Sequence, residues 1–251
     1  MLRSWRLVDS GAVRPPESAA LDEAILEAHV SGLVPNTLHL YIRSVPTISV
    51  GYFQKISESV DMAECERRGV AIIRRKSGGS SIYTDPGQLI YGLVVREADL
   101  PQDMAASFEF TCKAIADAIR SFGADASYRP MNDVEIQGRK ISGNAQLRRK
   151  CSVLQHGTIV VDADLSEMDA VLKVSGQHQT AVARPSERMT TLTRVTGSVP
   201  EMGAVKRSLV SAFERSFDAR FLPSSLTEFE TSLVNKLVSE RYSKKEWNFK
   251  C

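Results

Sequence analysis

Apolar residues recur along this chain at two spacings, one typical of helices and one typical of strands. Segment 17–32 carries a helical stripe at Ala20, Leu21, Ala24, Ile25 and Ala28. A second helical face, over segment 104–123, holds Phe108, Cys112, Ile115, Ile119 and Phe122. Further helices are predicted over 166–174, 201–217 and 225–242. The last of these begins with Ser225 and Glu228 in the spacing of a capping box.

Strand patterns occupy the middle of the chain. The run "TLHLYI" alternates Leu38, Leu40 and Ile42 with polar or aromatic residues, which predicts a half-buried strand. β-branched runs over 47–53, 69–75, 87–96 and 152–161 predict further strands. Segment 133–142 reads as a hairpin that turns at Gln137-Gly138. Strands with interspersed helices, and no linker or repeat, predict one α+β domain over residues 1–251.

Composition then excludes several classes of protein. The chain has 251 residues, 43% hydrophobic and 25% charged, with a net charge of +2, which is too small to indicate nucleic acid as the main partner. Four cysteines without CxxC spacing argue against a zinc site or a disulfide framework. We find neither a signal-peptide core nor a membrane-spanning run, so we expect no membrane association and a cytoplasmic location.

The stretch "RRKSGGSSIYTD", residues 74–85, brings three cations to a Gly/Ser loop between two predicted strands. Its backbone N–H groups and cations suit a phosphate, although the stretch matches neither a Walker A motif nor a dinucleotide fingerprint. On this segment alone, a hairpin with solvated basic residues is the commoner interpretation.

A second basic loop, segment 132–150, contains Lys140 in the predicted hairpin. A lysine there would stabilise charge that develops on a phosphate or an acyl carbonyl, whereas the alternative is again a solvated hairpin. Two such loops in one chain favour an anion site. Cys151 and His156 lie five residues apart, on opposite faces of one predicted strand, so a Cys/His catalytic pair is disfavoured. We expect Cys151 to pack and His156 to face the pocket.

Together, "RRKSGGSSIYTD" and "NDVEIQGRKISGNAQ" resemble the two motifs of the lipoate–protein ligase and octanoyltransferase family, which shares a superfamily with biotin protein ligases. "LQHGTI", "AALDEAI", "TISVGYFQ", "AVLKV" and "YSKKEWN" also follow the family order, so the resemblance covers nearly the whole chain. It implies mixed and antiparallel sheets flanked by helices.

The resemblance also implies the site residues. Lys140 matches the catalytic lysine, and Asn132 and Asp133 match the adenine and phosphate/Mg²⁺ side, with Asp133 a candidate metal ligand. The implied site for the nucleotide and acyl-adenylate comprises Arg74, Arg75, Ser77, Gly78, Gly79, Ser80, Tyr83, Asp85, Asn132, Asp133, Lys140, Ser142, Gly143, Ala145, His156, Gly157 and Thr158. The chain departs from the family pattern at Ser80, Ser81 and Thr84.

Within this family, two chemistries compete. A ligase activates lipoate with ATP and Mg²⁺ to lipoyl-AMP, whereas a cysteine-type octanoyltransferase takes octanoate from acyl carrier protein through a thioester. "YRPMND" upstream of Lys140 offers no cysteine, and none falls between Cys151 and Cys251, which favours the ligase. An impaired lipoyl-AMP-binding module or a biotin ligase are further alternatives.

The resemblance also implies partners. Lipoyl carrier domains, such as those of dehydrogenase-complex E2 or glycine-cleavage H protein, would accept the acyl group. The chain stops just past "YSKKEWN", like the catalytic subunit of a split ligase, so we expect no C-terminal accessory domain and a separate small accessory subunit.

Overall fold

The computed structural model describes residues 3–173 and 184–250. Its larger sheet has eight strands in the order β11-β1-β2-β6-β10-β9-β8-β7. Their bounds are β1 Arg3–Val13, β2 Thr37–Arg43, β6 Gln88–Arg96, β7 Ala126–Arg129, β8 Asp133–Ile136, β9 Arg139–Arg149, β10 Ser152–Val160 and β11 Ala219–Pro223. β1 pairs in parallel with β2 and β11, and the other pairs are antiparallel.

A smaller sheet carries the first basic loop. It contains β3 Thr47–Val50 between β4 Ala71–Arg74 and β5 Ile82–Thr84. β3 runs parallel to β4 and antiparallel to β5, so residues 75–81 connect two strands at one end of this sheet. Both predicted features of this loop, a strand before it and a strand after it, are confirmed.

The helices are α1 Pro15–Val30, α2 Ile56–Ser59, α3 Met62–Arg68, α4 Met104–Arg120, α5 Leu165–Val171, α6 Leu192–Thr196, α7 Met202–Phe217, α8 Glu228–Leu237 and α9 Lys245–Asn248, with a π-helical turn at Val238–Tyr242. α1 packs on β2, β6 and β10, and α7 packs on α4. The predicted class, α+β with mixed and antiparallel sheets flanked by helices, is confirmed. The prediction for 166–174 gives α5, although Val174 lies outside the described residues.

The strand predicted at 37–42 is confirmed as β2, but its expected half-burial is wrong. His39 and Tyr41 are as buried as Leu38 and Leu40, at 1–2% exposure or less, because α1 covers the second face of β2. An alternating pattern cannot reveal a helix that packs over the polar side. The burial of His39 matters for the site below.

The predicted capping box is also wrong by two residues. Thr227, rather than Ser225, begins α8: its hydroxyl accepts from the Glu230 N–H, and Glu230 accepts from the Thr227 N–H. Glu230 is completely buried because it also receives a bidentate hydrogen bond from Arg6 on β1. This buried ion pair sets the start of the helix, and it was invisible in the local pattern.

Strands β1, β7 and β11 and the short helices α2, α3, α6 and α9 were missed. β1 mixes arginines and an aspartate into its sequence, and Arg6 is buried only because Glu230 lies opposite it. Among the described helices, none has both the length and the apolar content that crossing a bilayer requires.

Candidate active site

Two arginines shape the loop that follows β4 from within. The Arg74 side chain is fully buried and donates to the carbonyl oxygens of Gly51 (2.8 Å) and Gln54 (2.7 Å). Arg75 donates to the carbonyls of Gly78 and Ser80, both at 2.8 Å. Burial, with a smaller effect of Arg43, lowers the pKa of Arg75 to about 10, so it stays charged at neutral pH. Both guanidiniums hold backbone in this conformation, and their contact with a phosphate stays a prediction.

Glycine is required where this loop crosses β3. A Cβ on Gly51 would overlap the carbonyl oxygen of Gly79, and Gly79 itself has φ +91°, which favours glycine. Ser80 is exposed, and Ser81 hydrogen-bonds to Ser59 and Gln54 at 2.9 and 2.8 Å. The hydroxyl of Ser81, one of the departures from the family pattern, therefore anchors the end of the loop.

The residues after the loop are buried. Tyr83 and Asp85 are 3% and 6% exposed. Asp85 accepts from the backbone N–H groups of Gly87 and Asp164, both at 2.9 Å, and burial raises its pKa. Thr84, which replaces the histidine of the family motif, donates to the Thr47 carbonyl at 3.3 Å. In this structure Asp85 and Thr84 stabilise turns and strands.

Four neighbouring strands place one row of residues beneath α1. His39 on β2, Gly92 on β6, His156 on β10 and Ala145 on β9 are directly opposite one another. A Cβ on Gly92 would lie 3.0 Å from Oδ1 of Asp22, so the glycine makes room for this carboxylate of α1. His156 lines a pocket with Ser77 and Lys76, and its place in a ligand site stays a prediction.

Asp22, His156 and Ser77 form one hydrogen-bonded chain. Asp22 Oδ2 lies 2.9 Å from His156 Nδ1, and His156 Nε2 lies 2.6 Å from Ser77 Oγ. Burial raises the pKa of the Asp22 carboxyl, but hydrogen bonds from His156 and His39 outweigh burial and bring it to about 2. Asp22 is therefore an anion that accepts hydrogen bonds at any physiological pH. These hydrogen bonds link the first basic loop, through Ser77, to the larger sheet.

Lys140 lies on the same sheet further along β9. Its Nζ is 2.6 Å from Oδ1 of Asp133, and its side chain is 29% exposed. Asp133 pairs across the ladder with Gly143, and a Cβ there would be 2.5 Å from Lys140 Nζ. Gly143, one of the implied site residues, here makes room for the lysine itself. The ammonium group is thereby held over β9, and the same strand carries Ala145, which lies opposite His156.

Asn132 closes the second loop. Its carbonyl accepts from the backbone N–H and the side-chain amide of Asn144, at 3.1 and 2.9 Å. Ser142 is fully buried, 3.3 Å from the same amide. Gly157 also faces Asn144, because a Cβ there would overlap its Oδ1. Ser142 and Gly157 therefore lie on the face of the sheet away from α1, behind the lysine rather than beside it.

The pocket beneath α1 has a polar and an apolar side. The apolar side comprises Ala19, Leu147 and Leu154, and the polar side comprises Asp22, Glu23, Arg75, Lys76, Ser77 and His156. Ala145 is half-buried beside His156, and Thr158 follows on β10 at 7% exposure. The structure thus brings Ser77, His156 and Ala145 together and leaves Arg74, Tyr83 and Asp85 in the supporting layer.

The described cysteines are badly placed for covalent chemistry at Lys140. Cys65 and Cys112 are buried, and burial raises their thiol pKa to about 11 and 12. Cys112 is thus a core residue, as predicted. Cys151 is exposed in the β9–β10 turn, so its prediction as a packing residue is wrong, and nine residues of strand put it roughly 30 Å from Lys140.

The fit of a metal ion at Asp133 is poor in this state. Its carboxylate lies between Lys140 and Arg129, at 2.6 and 2.7 Å. Within residues 3–173 and 184–250, no three His, Cys, Asp or Glu side chains group together as metal ligands. The prediction of Mg²⁺ at Asp133 stays a prediction, and we derive no step through it.

Sequence reasoning missed Asp22, His39 and Gly92. For Asp22 the sequence did contain a signal. Asp22 shares the helical face of Ile25 with Ser18 and His29, and polar residues on a buried face need partners. Gly92 looked like an ordinary glycine in a strand. Its role follows only from the position of α1 above it.

The sheets, the glycine-rich loop and the lysine hairpin together define a catalytic domain of the lipoyl ligase and transferase class. The chain belongs to the family described as the lipoyl protein ligase A/B catalytic domain, whose family model matches residues 14–214.

Relatives within the family carry both activities in their names. An octanoyltransferase LipM of Halalkalibacterium halodurans is 30% identical over 99% of this chain and 100% of its own. The structure of a lipoate-protein ligase A bound with ATP superposes with a TM-score of 0.86, at 28% identity, over 98% of each chain. A bi-partite lipoate protein ligase of Thermoplasma acidophilum, studied with its E2 lipoyl domain, gives 0.84 at 28% identity over 98% and 96% of the two chains.

The comparisons therefore confirm the predicted family and an enzyme of lipoyl or octanoyl transfer. They do not confirm an ATP-dependent ligase, and the curated relatives favour the alternative, an octanoyltransferase. The choice between a ligase and an octanoyltransferase therefore depends on which residues the site contains.

Proposed function

We propose that this protein passes a lipoyl or octanoyl group from an acyl-adenylate to a lysine of a lipoyl carrier domain. The observation that carries this proposal is Lys140, which Asp133 holds on the strand that also places Ala145 opposite His156, with no suitable cysteine among the described residues. Because an acyl-adenylate is already activated, its transfer needs stabilisation of charge and no nucleophile from the protein. The same site would form lipoyl-AMP from lipoate and ATP.

Lys140 would act on the transition state. The neutral amine of the carrier lysine attacks the acyl carbonyl, the new C–N bond forms, and the C–O bond to AMP breaks. Negative charge develops on the carbonyl oxygen and on the leaving phosphate, and the Lys140 ammonium stabilises both. The amine proton leaves to solvent or to the departing AMP. The apolar pocket side at Leu147 and Leu154 would receive the acyl chain.

Octanoyl transfer from acyl carrier protein is the second candidate. It is favoured by the full-length curated relatives at 30% identity, which are named octanoyltransferases. A cysteine-based route would need Cys65, Cys112 or Cys151 to reach the acyl group, and their burial or position opposes this. A third possibility, an adenylate-binding module without catalysis, would leave Lys140 idle.

Mass spectrometry of an apo lipoyl domain separates these candidates. The protein would be incubated with the domain and one of three donors: lipoate with ATP, lipoyl-AMP, or octanoyl-acyl carrier protein. Acylation from lipoyl-AMP supports the proposal. Acylation from octanoyl-acyl carrier protein alone would replace it with the transferase, and binding of lipoyl-AMP without transfer would indicate the binding module.

A separate accessory subunit is part of the proposal. We expect transfer from preformed lipoyl-AMP by this chain alone, whereas activation of lipoate with ATP needs a small partner chain. Support comes from the similarity to the bi-partite ligase of T. acidophilum. Efficient lipoylation from lipoate and ATP by the single purified chain would contradict it.

A further inference from the structure

The chain Asp22–His156–Ser77 is not used by the acyl transfer proposed above, yet it has the connectivity of a catalytic triad. The two distances, 2.9 and 2.6 Å, are those of well-formed hydrogen bonds. Ser77 is only 1% exposed, and its hydroxyl also lies 3.1 Å from Nε of Arg75. A hydroxyl so enclosed is poorly placed to attack an acyl carbonyl, and a role of Ser77 in ligand binding fits its position better.

The positions of the protons follow from the partners. The ionised Asp22 can only accept, so it takes the N–H of His156 Nδ1. Nε2 of the neutral imidazole is then an acceptor, and it receives the proton of the Ser77 hydroxyl. Arg75 can only donate, so Nε–H points at the same oxygen. While His156 is neutral, Ser77 has no proton left to offer a ligand.

An anionic ligand in the pocket would change this arrangement. If Nε2 of His156 carries a proton, it donates to Ser77 Oγ, and rotation of the hydroxyl turns its own proton into the pocket. No heavy atom has to move. A charge-assisted hydrogen bond to the anion then becomes available.

We propose that His156 takes up a proton when an acyl-adenylate binds, that Ser77 thereby becomes a donor to its anionic group, and that Asp22 is the positioning residue that stabilises the imidazolium. This inference rests on the proposed function, because the adenylate supplies the anion. Binding is therefore coupled to pH through a residue distinct from Lys140.

Other charged groups near His156 set the background of this coupling. They are Asp22 and Glu23 on α1, His39, Tyr41 and Arg43 on β2, and Arg75 and Lys76 on the loop. Of these, only His39 is a second imidazole. His39 Nδ1 lies 3.4 Å from Oδ1 of Asp22, and His39 Nε2 lies 2.9 Å from the Ser10 hydroxyl. His39 is therefore part of the same hydrogen-bonded network, but it does not touch Ser77.

Isothermal titration calorimetry tests the coupling directly. The probe is octanoyl-sulfamoyl-adenosine, an acyl-adenylate analogue whose acyl-sulfamate is anionic and cannot transfer the acyl group. Titration at pH 7 in two buffers of different ionisation enthalpy gives the number of protons taken up. We expect net proton uptake by the wild type, of up to about one proton per site, because binding places a proton on the His156 imidazole.

Three variants locate the proton. His156→Gln should bind without proton uptake, and Asp22→Asn should bind roughly tenfold more weakly with reduced uptake. His39→Gln is the matched control, and it should keep the uptake. Ser77→Ala should lose affinity, and the conservative Ser77→Thr, which keeps the hydroxyl, should restore part of it.

The possible failures are distinguishable. If the wild type does not bind the analogue, the proposed function fails and this inference fails with it. If it binds without proton uptake, or if His156→Gln keeps the uptake, only this inference fails. Loss of uptake in His39→Gln alone would assign the proton to His39, and covalent labelling of Ser77 by a fluorophosphonate would make Ser77 a nucleophile; either result overturns it.

Discussion

Single residues at this site act through the neighbours that hold them. Lys140 reaches Asp133 only because Gly143 has no side chain, and Asp22 fits above the sheet only because Gly92 has none. The charges are therefore fixed before any ligand arrives. Such preorganisation is what electrostatic catalysis requires.

Lys140→Ala should reduce transfer from lipoyl-AMP by roughly a hundredfold or more, because the transition state loses its main positive partner. The melting temperature should change little, since the side chain is partly exposed and its ion pair with Asp133 contributes little to stability. Arg139→Ala, an exposed cation next to it, is the matched control and should keep full activity. Near-wild-type transfer by Lys140→Ala would remove this lysine from the mechanism.

Asp22 should make the protein sensitive to acid. Its folded pKa of about 2 lies below its ordinary 3.8, so its ionised form stabilises the fold above about pH 4. That contribution, on the order of 2 kcal/mol, is lost as the pH falls through 2. Urea unfolding between pH 2 and 6 should show this slope in the wild type and lack it in Asp22→Asn.

Two comparisons keep that test specific. Asp125→Asn, at an exposed position, should retain the wild-type slope. Asp85, whose pKa burial raises, contributes with the opposite sign, and it is unchanged in all three proteins. Equal slopes in the wild type and Asp22→Asn would show that the carboxylate is not stabilised as described.

At the scale of elements, the three-stranded sheet carries the basic loop across its own middle strand. Gly51 follows β3, and the loop between β4 and β5 crosses directly over it at Gly79. The side chains of Arg74 and Arg75 stabilise this crossing, because they donate hydrogen bonds to the carbonyl oxygens of Gly51 and Gly78. The loop is therefore a packed unit of the small sheet.

Gly51→Ala should displace that loop, because the new methyl group would occupy the space of the Gly79 carbonyl. We expect a loss of about 1–3 kcal/mol in the free energy of unfolding, together with weaker binding of the adenylate analogue. Chemical denaturation measures the first and calorimetry the second. Gly78→Ala, whose methyl would meet nothing closer than 3.9 Å, should keep the stability of the wild type. A stable Gly51→Ala would mean that the crossing is loose.

Sequence predicted these elements unevenly. Long apolar runs such as β6 and strongly periodic helices such as α4 were predicted correctly, because burial against a core repeats at the period of the element. β1 and the start of α8 were not, because Arg6 and Glu230 are buried only by virtue of each other. The resemblance likewise named Lys140 and Ser77 as site residues, whereas the hydrogen bond between Asp22 and His156 joins residues 134 positions apart and has no local signal in the sequence.

At the scale of the whole molecule, the C-terminal segment holds the basic loop from outside. Asn248 accepts from the Arg74 N–H and Trp247 donates to the Arg74 carbonyl, both at 2.9 Å. The carbonyl of Lys250 accepts from the Arg74 guanidinium at 2.7 Å. One arginine thus joins β4 to residues more than 170 positions away.

Asn248→Ala should cost about 1–3 kcal/mol of unfolding free energy, because it leaves the buried Arg74 N–H without its acceptor. It should also weaken adenylate binding by loosening the loop. Asn235→Ala, an exposed asparagine on α8, provides the control for a change of the same size. If the two variants unfold at the same denaturant concentration, the C-terminal segment does not support the loop.

This tie between Arg74 and Asn248 has a consequence for synthesis on the ribosome. The loop emerges early, but the C-terminal acceptors of Arg74, on Asn248 and Lys250, are encoded 174 and 176 residues later. At ordinary elongation rates that delay is roughly 10 to 30 s. During that time the C-terminal acceptors of Arg74 are not yet in place, so the first basic loop is not held from that side. We therefore expect the loop to reach its final hydrogen bonding only after translation has passed Lys250.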